Sequence, residues 1–269
     1  MKFILLSALL AFNLMAVARA DDDLKKAIGS PTRSAENIAR DPARHPYETL
    51  QFFGIKPAMT VVELVPGGGW YTEILAPYLA KKGQLIAAGG DPQSSSEYQR
   101  KSATKYREKL AANPTVYGKV KIGIFEPGNK YDFAKPGSVD MVLTFRNVHN
   151  WMSGGNGQID VVFKNIHDSL KPNGVFGVVE HRLPEARPAN ADSGYVHESY
   201  VISVAEKAGF TLVEKSNINA NSKDTADHKN GVWALPPSFR NKDEDREKYA
   251  AIGESDRMTL KFIKLAKKK

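Results

Sequence analysis

The sequence predicts an α/β fold in which a mostly parallel sheet is covered by helices on both faces. Short apolar segments alternate with longer segments whose apolar residues recur every three or four positions, the spacing of an amphipathic helix. Strands separated by helices over most of a chain are typical of parallel sheets. The length of 269 residues and the 42% hydrophobic content are sufficient for one large core, so we predict a single domain.

The elements follow from this alternation and from the glycines and prolines that interrupt it. The predicted strands are Val61–Val65, Gln84–Ala88, Val120–Phe125, Val139–Thr144, Val175–Glu180, Phe210–Lys215 and Met258–Leu265. The predicted helices are Trp70–Ala80, Glu97–Ala112, Gly157–Leu170 and Glu198–Ala208. Residues 171–174 are predicted to form a turn, residues 21–55 a helical cover across the ligand cleft, and residues 217–257 a long loop before the last strand.

The first 20 residues are predicted to be a secretory signal peptide. Lys2 precedes the almost wholly apolar stretch Phe3–Val17, and Ala18–Ala20 has the small residues that a signal peptidase recognises. The alternative is an uncleaved membrane anchor, but the apolar stretch is short for a span. We therefore predict cleavage after Ala20, no stable membrane insertion afterwards, and a periplasmic or secreted domain formed by residues 21–269.

The composition argues against several kinds of chemistry. The chain has no cysteine, which excludes thiol catalysis, thiolate metal sites and disulfides. Its six histidines form no His-x-x-x-His or His-Glu-x-x-His pattern, so we predict no metal site. The formal charge is +8, but no aromatic residues interleave with the lysines at the carboxyl terminus, so we predict a solvated tail and no nucleic-acid partner. Nothing in the composition indicates an oligomeric state.

The most informative stretch is Val61–Leu79, where an apolar strand breaks and a helical pattern begins. The break consists of Pro66 followed by Gly67, Gly68 and Gly69. Glycine tolerates positive φ and lets a ligand approach the bare backbone, and the following helix start offers free N–H groups. A tight turn without a ligand is the alternative, but three glycines exceed what a turn needs. The sequence therefore favours a ligand-binding loop at the carboxyl end of the first strand.

Three acidic residues lie at or near the carboxyl ends of predicted strands. Glu63 lies within an apolar strand, where a carboxylate needs a partner such as a ligand amine or the loop N–H groups, or a structural salt bridge. Asp91 follows the second strand, a position where a carboxylate commonly holds ribose hydroxyls. The alternative is that Asp91 caps its own turn with Pro92. Glu126 ends the third strand at the same edge.

The densest polar and aromatic cluster is Arg146–Trp151, directly after the fourth predicted strand. It combines hydrogen-bond donors, an acceptor and a stacking surface, which suits a loop that orients a substrate. His149 is the candidate proton acceptor. The alternative is a loop whose side chains bond only to their own backbone.

Two of these segments resemble a known family. The glycine loop reads Glu-x-x-Pro-Gly-Gly-Gly-Trp-Tyr-Thr-Glu over Glu63–Glu73, and Asn147–Trp151 reads Asn-x-His-Asn-Trp. With these segments the chain resembles class I S-adenosylmethionine-dependent methyltransferases, and it is similar to a bacterial group of exported predicted methyltransferases. The resemblance extends over Arg40–Lys264 and implies a single methyltransferase-like domain. It also implies a Rossmann-like sheet of seven strands, with the last strand antiparallel.

The resemblance also implies roles for individual residues. The cofactor would be S-adenosyl-L-methionine, with its methionine part against the glycine loop. Asp91 would bind ribose, Glu126 would lie near adenine, and the segment after the fourth strand would face the methyl group and the substrate. The implied cofactor-binding residues are Glu63, Gly67, Gly68, Gly69, Asp91, Glu126 and Arg146. The implied catalytic residues are His149 and Asn147.

Three functions are weighed on these residues. The first is methyl transfer to a small molecule or an envelope component. The second is non-catalytic binding of a small molecule on the same fold. The third is a nicotinamide-dependent reductase, which is disfavoured because Thr72 stands where the dinucleotide fingerprint needs a third glycine.

Overall fold

The computed structural model describes residues 19–152, 154–155 and 157–266. Its strands are β1 (Thr60–Leu64), β2 (Gln84–Gly89), β3 (Lys121–Glu126), β4 (Lys130–Asp132), β5 (Val139–Phe145), β6 (Leu170–Leu183), β7 (Val196–His197), β8 (Phe210–Ser216) and β9 (Arg257–Lys264). Residues 19–28 are helical and are labelled α1. The other helices are α2 (Ala35–Ile38), α3 (Asp41–Arg44), α4 (Pro46–Phe53), α5 (Thr72–Leu79), α6 (Glu97–Ala112), α7 (Pro114–Tyr117), α8 (Val148–Met152), α9 (Gln158–Ser169), α10 (Glu198–Lys207) and α11 (Arg246–Ile252).

The strands of the described residues form one mixed sheet in the order β4-β3-β2-β1-β5-β6-β9-β8, and β7 pairs with β6. β1 lies at the centre and is parallel to both β2 and β5. β9 is antiparallel to both β6 and β8. The predicted α/β class with a mostly parallel sheet is confirmed, and the last strand is antiparallel as the resemblance implies.

Helices cover both faces because successive residues of the central strands point to opposite sides. Val62 of β1 belongs to a buried cluster that contains Phe163 of α9. Its neighbour Val61 belongs to a second buried cluster, which contains Ile74 of α5. The near-continuous apolar sequence of β1 therefore reflects a strand that is buried on both faces.

The strand count differs from the expected seven because two short strands are added. β4 has three residues and pairs antiparallel with β3, and β7 has two residues and pairs with β6. Segments this short show no periodicity from which a strand could be predicted.

The predicted turn at residues 171–174 is wrong, because these residues lie within β6. Leu170 pairs with Val139 and Val175 pairs with Met141, so the intervening residues form an irregularity in the strand. Asn173 takes a left-handed conformation there, with φ of 62°. The Pro-Asn-Gly sequence bends the strand locally but does not end it.

Two segments outside the sheet carry structure that bears on the site. The stretch before β1 contains α1–α4, and Phe53 of α4 is fully buried in the same cluster as α5. The predicted loop 217–257 contains a 3₁₀ turn at Gly231–Ala234 and the helix α11. Most of the predicted signal peptide, residues 1–18, lies outside the described residues. Within the described part of the chain, no helix has both the length and the hydropathy required to cross a membrane.

Candidate functional site

The carboxyl ends of β1 and β5 lie side by side, and each strand continues into a residue with a left-handed backbone. Val65 has φ of 47° and Arg146 has φ of 64°. Their amides still donate to the neighbouring strands, to Ala88 O and Val179 O, each at 2.7 Å. Left-handed conformations are costly for residues other than glycine, above all for a β-branched one, and such strain concentrates at functional sites. The two turns direct the chain away from the sheet and open a cleft between them.

This cleft has a volume of about 290 Å³ and is lined mainly by three parts of the chain, with Tyr98 of α6 beside them. Helices α2 and α3 with the residues around them form one side, the glycine loop forms the second, and the segment after β5 forms the third. Its lining residues include Arg40, Arg44, Glu63, Gly67, Gly68, Tyr98, Arg146, Asn147 and Asn150. Its position at the carboxyl ends of parallel strands is where ligands bind in open α/β sheets.

The glycine loop presents bare backbone to this cleft. A Cβ placed on Gly67 or Gly68 would meet no atom within 4 Å, whereas one on Gly69 would lie 3.3 Å from the ring of Tyr106. The backbone is left-handed at Gly67 and Gly69, with φ of 56° and 78°. Lys109 Nζ donates to Gly68 O at 2.6 Å and fixes the loop from outside. The backbone conformation therefore favours glycine at Gly67 and Gly69, whereas Gly68 lines the cleft with open space around it.

Glu63 lies at the end of β1 beneath this loop and is only 2% exposed. Its carboxylate accepts a hydrogen bond from Thr72 Oγ1 at 2.6 Å, and Thr72 is in turn 2.8 Å from the hydroxyl of Tyr106. Burial raises the pKa of Glu63 to about 8, so the carboxyl group is mostly protonated at neutral pH. The described residues provide no ion-pair partner for it, so the salt-bridge alternative is not found.

Asp91 and Glu126 lie at the ends of β2 and β3 and are engaged with neighbouring loop residues. Asp91 accepts from the backbone N–H of Gln93 and from Lys130 Nζ, both at 2.9 Å. These two contacts, the Gln93 bond first, hold the pKa of Asp91 below its ordinary value. Glu126 accepts from Ser94 Oγ at 2.6 Å and from the Asp91 backbone N–H at 3.3 Å. Asp91 thus caps its own turn, and its ribose role stays a prediction.

Asn147 connects the segment after β5 to the first strand. Its side-chain amide donates to Leu64 O at 3.2 Å and to Thr144 Oγ1 at 3.1 Å. Both contacts lie at the carboxyl edge of the sheet, so Asn147 fixes the start of α8 relative to the glycine loop. Asn150 lines the cleft one turn further along.

His149 forms a buried pair with Glu180 of β6. The Nδ1 atom of His149 is 3.0 Å from one carboxylate oxygen of Glu180. The other oxygen accepts the backbone N–H groups of Val148 at 2.5 Å and His149 at 3.3 Å. One carboxylate therefore caps the start of α8 and fixes the imidazole ring. His149 is 9% exposed, and its ring lies 5.9 Å from that of Trp233, whereas its neighbours Asn147 and Asn150 line the cleft.

His181 lies next to this pair and brings a third potential metal ligand. Potential ligand atoms of His149, Glu180 and His181 all lie within 4.8 Å of one another, although Glu180 and His181 are adjacent in the sequence. His181 Nδ1 is 2.6 Å from Ser255 Oγ, and burial, followed by the charge of His149, holds the pKa of His181 well below its ordinary value. Because Glu180 already accepts four N–H groups, hydrogen bonding accounts for this cluster. The absence of a metal site stays a prediction.

Sequence reasoning missed the arginines that line the cleft from the amino-terminal side. Arg40 and Arg44 both bond to Glu254, which lies three residues before the start of β9. The four-residue spacing of the two arginines is a sequence signal that could have found them. Tyr98 was also missed: it is 77% exposed and stands at the start of α6 against the glycine loop.

Neither a protein-family model nor a curated protein matches the sequence. Solved structures match the fold at low sequence identity. A SAM-dependent methyltransferase from Aquifex aeolicus has 16% identity and a TM-score of 0.56, covering 91% of this chain and 98% of that one. The chain has a Rossmann-like class I methyltransferase fold.

Two further solved structures show how widely this fold is used. The [4+2]-cyclase SpnF matches with 14% identity and a TM-score of 0.56, covering 87% of this chain and 84% of its own. A possible exported protein from Bordetella parapertussis has 15% identity and a TM-score of 0.50, with 85% and 68% covered. Because these identities are low, the likeness establishes the fold, and the reaction has to be argued from the site.

Proposed function

We propose that this protein transfers the methyl group of S-adenosyl-L-methionine to a small-molecule or envelope-component acceptor. The observation that carries this proposal is the glycine loop, where Gly67 and Gly68 turn bare backbone towards a cleft with the buried Glu63 beneath it. When bound, the cofactor supplies an already activated methyl group. The protein then has to align the acceptor with that group and exclude water, which is a task of positioning.

Several residues are placed to hold the cofactor. The backbone of the glycine loop, including Gly69, would contact its methionine part, and Glu63 would accept a hydrogen bond from its ammonium group. Asp91 and Glu126 are the candidate contacts for ribose and adenine.

His149 is the candidate base for an acceptor whose nucleophile carries a proton. Because Glu180 holds Nδ1, the imidazole keeps Nε2 as the nitrogen that accepts the proton. The acceptor atom would take the methyl group that the cofactor supplies, and the proton that this atom loses would move to Nε2 of His149. Asn147 acts as a positioning residue, since it fixes α8 against β1.

Non-catalytic binding of a small molecule is the second candidate function. The predicted signal peptide favours it, because the protein would leave the cytosol, where the cofactor is made. The burial of His149 beside the cleft rather than in its lining favours it as well.

Titration calorimetry with S-adenosylmethionine and S-adenosylhomocysteine tests the proposal. We expect one molecule of either compound to bind per chain. An absence of heat with both compounds would remove the enzymatic function and leave the cleft to another small molecule.

Replacing Gly68 by valine is expected to weaken S-adenosylhomocysteine binding at least about 10-fold, because Gly68 lines the cleft and a branched side chain there would keep the ligand from the bare backbone. Gly29→Val is the matched control, since Gly29 is exposed and a Cβ there meets only Lys25 O at 3.4 Å. Equal affinities of Gly68→Val and the control, measured by calorimetry, would place the ligand elsewhere.

Replacing His149 by alanine is expected to slow methyl transfer by about 100-fold, the usual contribution of a general base. The measurement is transfer of tritium from S-[methyl-³H]adenosylmethionine into an extract of cell-envelope small molecules. His167→Ala serves as the control, because His167 lies near the end of α9 and packs against Phe210. Unchanged transfer by the His149 variant would exclude this base from the reaction.

A further inference from the structure

Arginine side chains outnumber carboxylates on one side of the cleft. Glu254 accepts from Arg40 Nε at 2.7 Å, from Arg44 Nε at 3.1 Å and from Arg257 Nη1 at 3.2 Å. Arg146 follows the carboxyl end of β5 and lines the same cleft. No carboxylate of the described residues forms an ion pair with it. Among the described residues, one carboxylate therefore pairs with three guanidinium groups, and the fourth, Arg146, has no paired carboxylate.

Several of these donors have no partner within the protein. Arg40 Nη2 and Arg44 Nη2 are buried and form no hydrogen bond, and Arg44 as a whole is only 2% exposed. The side chain of Arg146 makes no hydrogen bond to any described residue. Buried donors are almost always satisfied in folded proteins, so the unpaired ones on Arg40 and Arg44, beside the half-buried Arg146, indicate a missing acceptor.

The lowered pKa values of these arginines also indicate a missing anion. Burial, followed by the charge of Arg146, lowers the pKa of Arg44 to about 9. Burial, followed by the charge of Arg257, lowers the pKa of Arg146 to about 10. The arginines repel one another in a desolvated place, and an anion bound among them would relieve that repulsion.

We infer that Arg40, Arg44 and Arg146 bind a carboxylate or phosphate group of the molecule that receives the methyl group, so that the acceptor is an anion. The identification of the bound molecule as the methyl acceptor rests on the proposed function. The anion site itself rests on the unpaired donors alone.

The amount of charge distinguishes the acceptor from the cofactor. The cofactor has one carboxylate, but it also brings an ammonium and a sulfonium, so it adds no net negative charge to the cleft. The four guanidinium groups near the single carboxylate of Glu254 leave an excess of positive charge, which a further anion would neutralise. Guanidinium groups match carboxylate and phosphate oxygens in bidentate geometry. The guanidinium carbon of Arg44 lies 4.8 Å from the ring of Trp70, which restricts the orientation of its fork.

The test measures phosphate binding to the ligand-free full chain by calorimetry and by the rise in melting temperature. We expect the wild type to bind inorganic phosphate and Arg146→Met to bind it at least about 10-fold more weakly. Arg146→Met removes no protein hydrogen bond, and it should fold at least as well as the wild type. Arg146→Lys, which keeps the charge but not the fork, gives a second variant of intermediate affinity. Arg246→Met is the control for loss of one positive charge, because Arg246 is exposed on α11.

A second arm compares S-adenosylhomocysteine with 5′-methylthioadenosine, which lacks the amino-acid part. Although the resemblance implies a cofactor contact for Arg146, the inference assigns this residue to the acceptor, so we expect Arg146→Met to change the affinity for S-adenosylhomocysteine less than about threefold, well below the effect on phosphate. If Arg146→Met binds S-adenosylhomocysteine much more weakly but binds 5′-methylthioadenosine as the wild type does, the arginines hold the cofactor carboxylate. That result would overturn the inference. Equal phosphate binding by Arg146→Met and the wild type would also overturn it. Phosphate binding that is lost in the variant, with no S-adenosylhomocysteine binding at all, would keep the anion site and remove the proposed function.

Discussion

Replacing Glu254 by glutamine will lower the free energy of unfolding at pH 7 by about 3 kcal/mol or more. Its carboxylate is 9% exposed and accepts hydrogen bonds from three arginines. Without it, four guanidinium groups would remain in a poorly solvated place with no counter-charge. Urea denaturation of both proteins at pH 7 measures the difference.

The effect of Glu254 has a defined pH dependence. Burial alone would raise its pKa, but the charges of Arg44, Arg257 and Arg40 outweigh burial and hold the pKa at about 2. The ordinary value is 4.5, so the stabilisation is complete above about pH 4.5 and is lost as the pH falls towards 2. The curves of the wild type and Glu254→Gln should therefore converge in acid.

The matched control for this prediction is Glu244→Gln. Glu244 forms an exposed ion pair with Lys229 at 2.8 Å, and its loss should change stability by less than about 0.5 kcal/mol. A Glu254→Gln variant that is as stable as this control at pH 7 would contradict the description of the arginine cluster.

Replacing Glu63 by glutamine will stabilise the protein above pH 8 by about 5 kcal/mol, since each unit of pKa shift corresponds to about 1.4 kcal/mol. The pKa of Glu63 is about 8 in the folded protein against 4.5 ordinarily. As the pH rises from 4.5 to 8, the unfolded chain releases this proton first, so the wild type loses stability over this interval. Glutamine has no proton to release and can still accept the hydrogen bond of Thr72.

Urea denaturation at pH 5, 7 and 9 measures this effect. The two proteins should be similar at pH 5, should diverge as the pH rises to 8, and should keep a constant difference above it, with the variant more stable. Glu214→Gln, an exposed substitution on β8, should follow the wild type at every pH. Parallel curves for Glu63→Gln and the wild type would show that this carboxyl group has an ordinary pKa.

The same carboxyl group makes cofactor binding pH-dependent under the proposed function. Glu63 must lose its proton to accept a charged hydrogen bond from the ammonium group. The affinity of the wild type for S-adenosylhomocysteine should therefore rise with pH and level off above about pH 8. The affinity of Glu63→Gln should not change with pH over this range.

Most of the sheet could be predicted because its strands and helices carry local signals. Helix α6 has the predicted bounds, since Ser96 caps it by accepting the N–H of Gln99, and Asn113 ends it. The turn predicted at 171–174 failed for the opposite reason. Pro172, Asn173 and Gly174 are turn-forming residues, but pairing on either side of them with β5 keeps the strand continuous.

The candidate site likewise has one part that could be predicted from local sequence and one part that could not. The glycine loop and Glu63 are neighbours in sequence, so their arrangement could be inferred directly. The His149–Glu180 pair joins residues 31 positions apart, and the Arg40–Glu254 pair joins residues 214 positions apart. Such contacts depend on which strands are adjacent in the sheet, and no single segment of sequence records that.

The most direct test of the central claim is a crystal structure of this protein grown with S-adenosylhomocysteine. We expect its methionine part to lie against the backbone of Gly67 and Gly68, with its ammonium about 3 Å from the carboxylate of Glu63. Electron density for the ligand outside this cleft, or an empty cleft at saturating ligand, would contradict the claim.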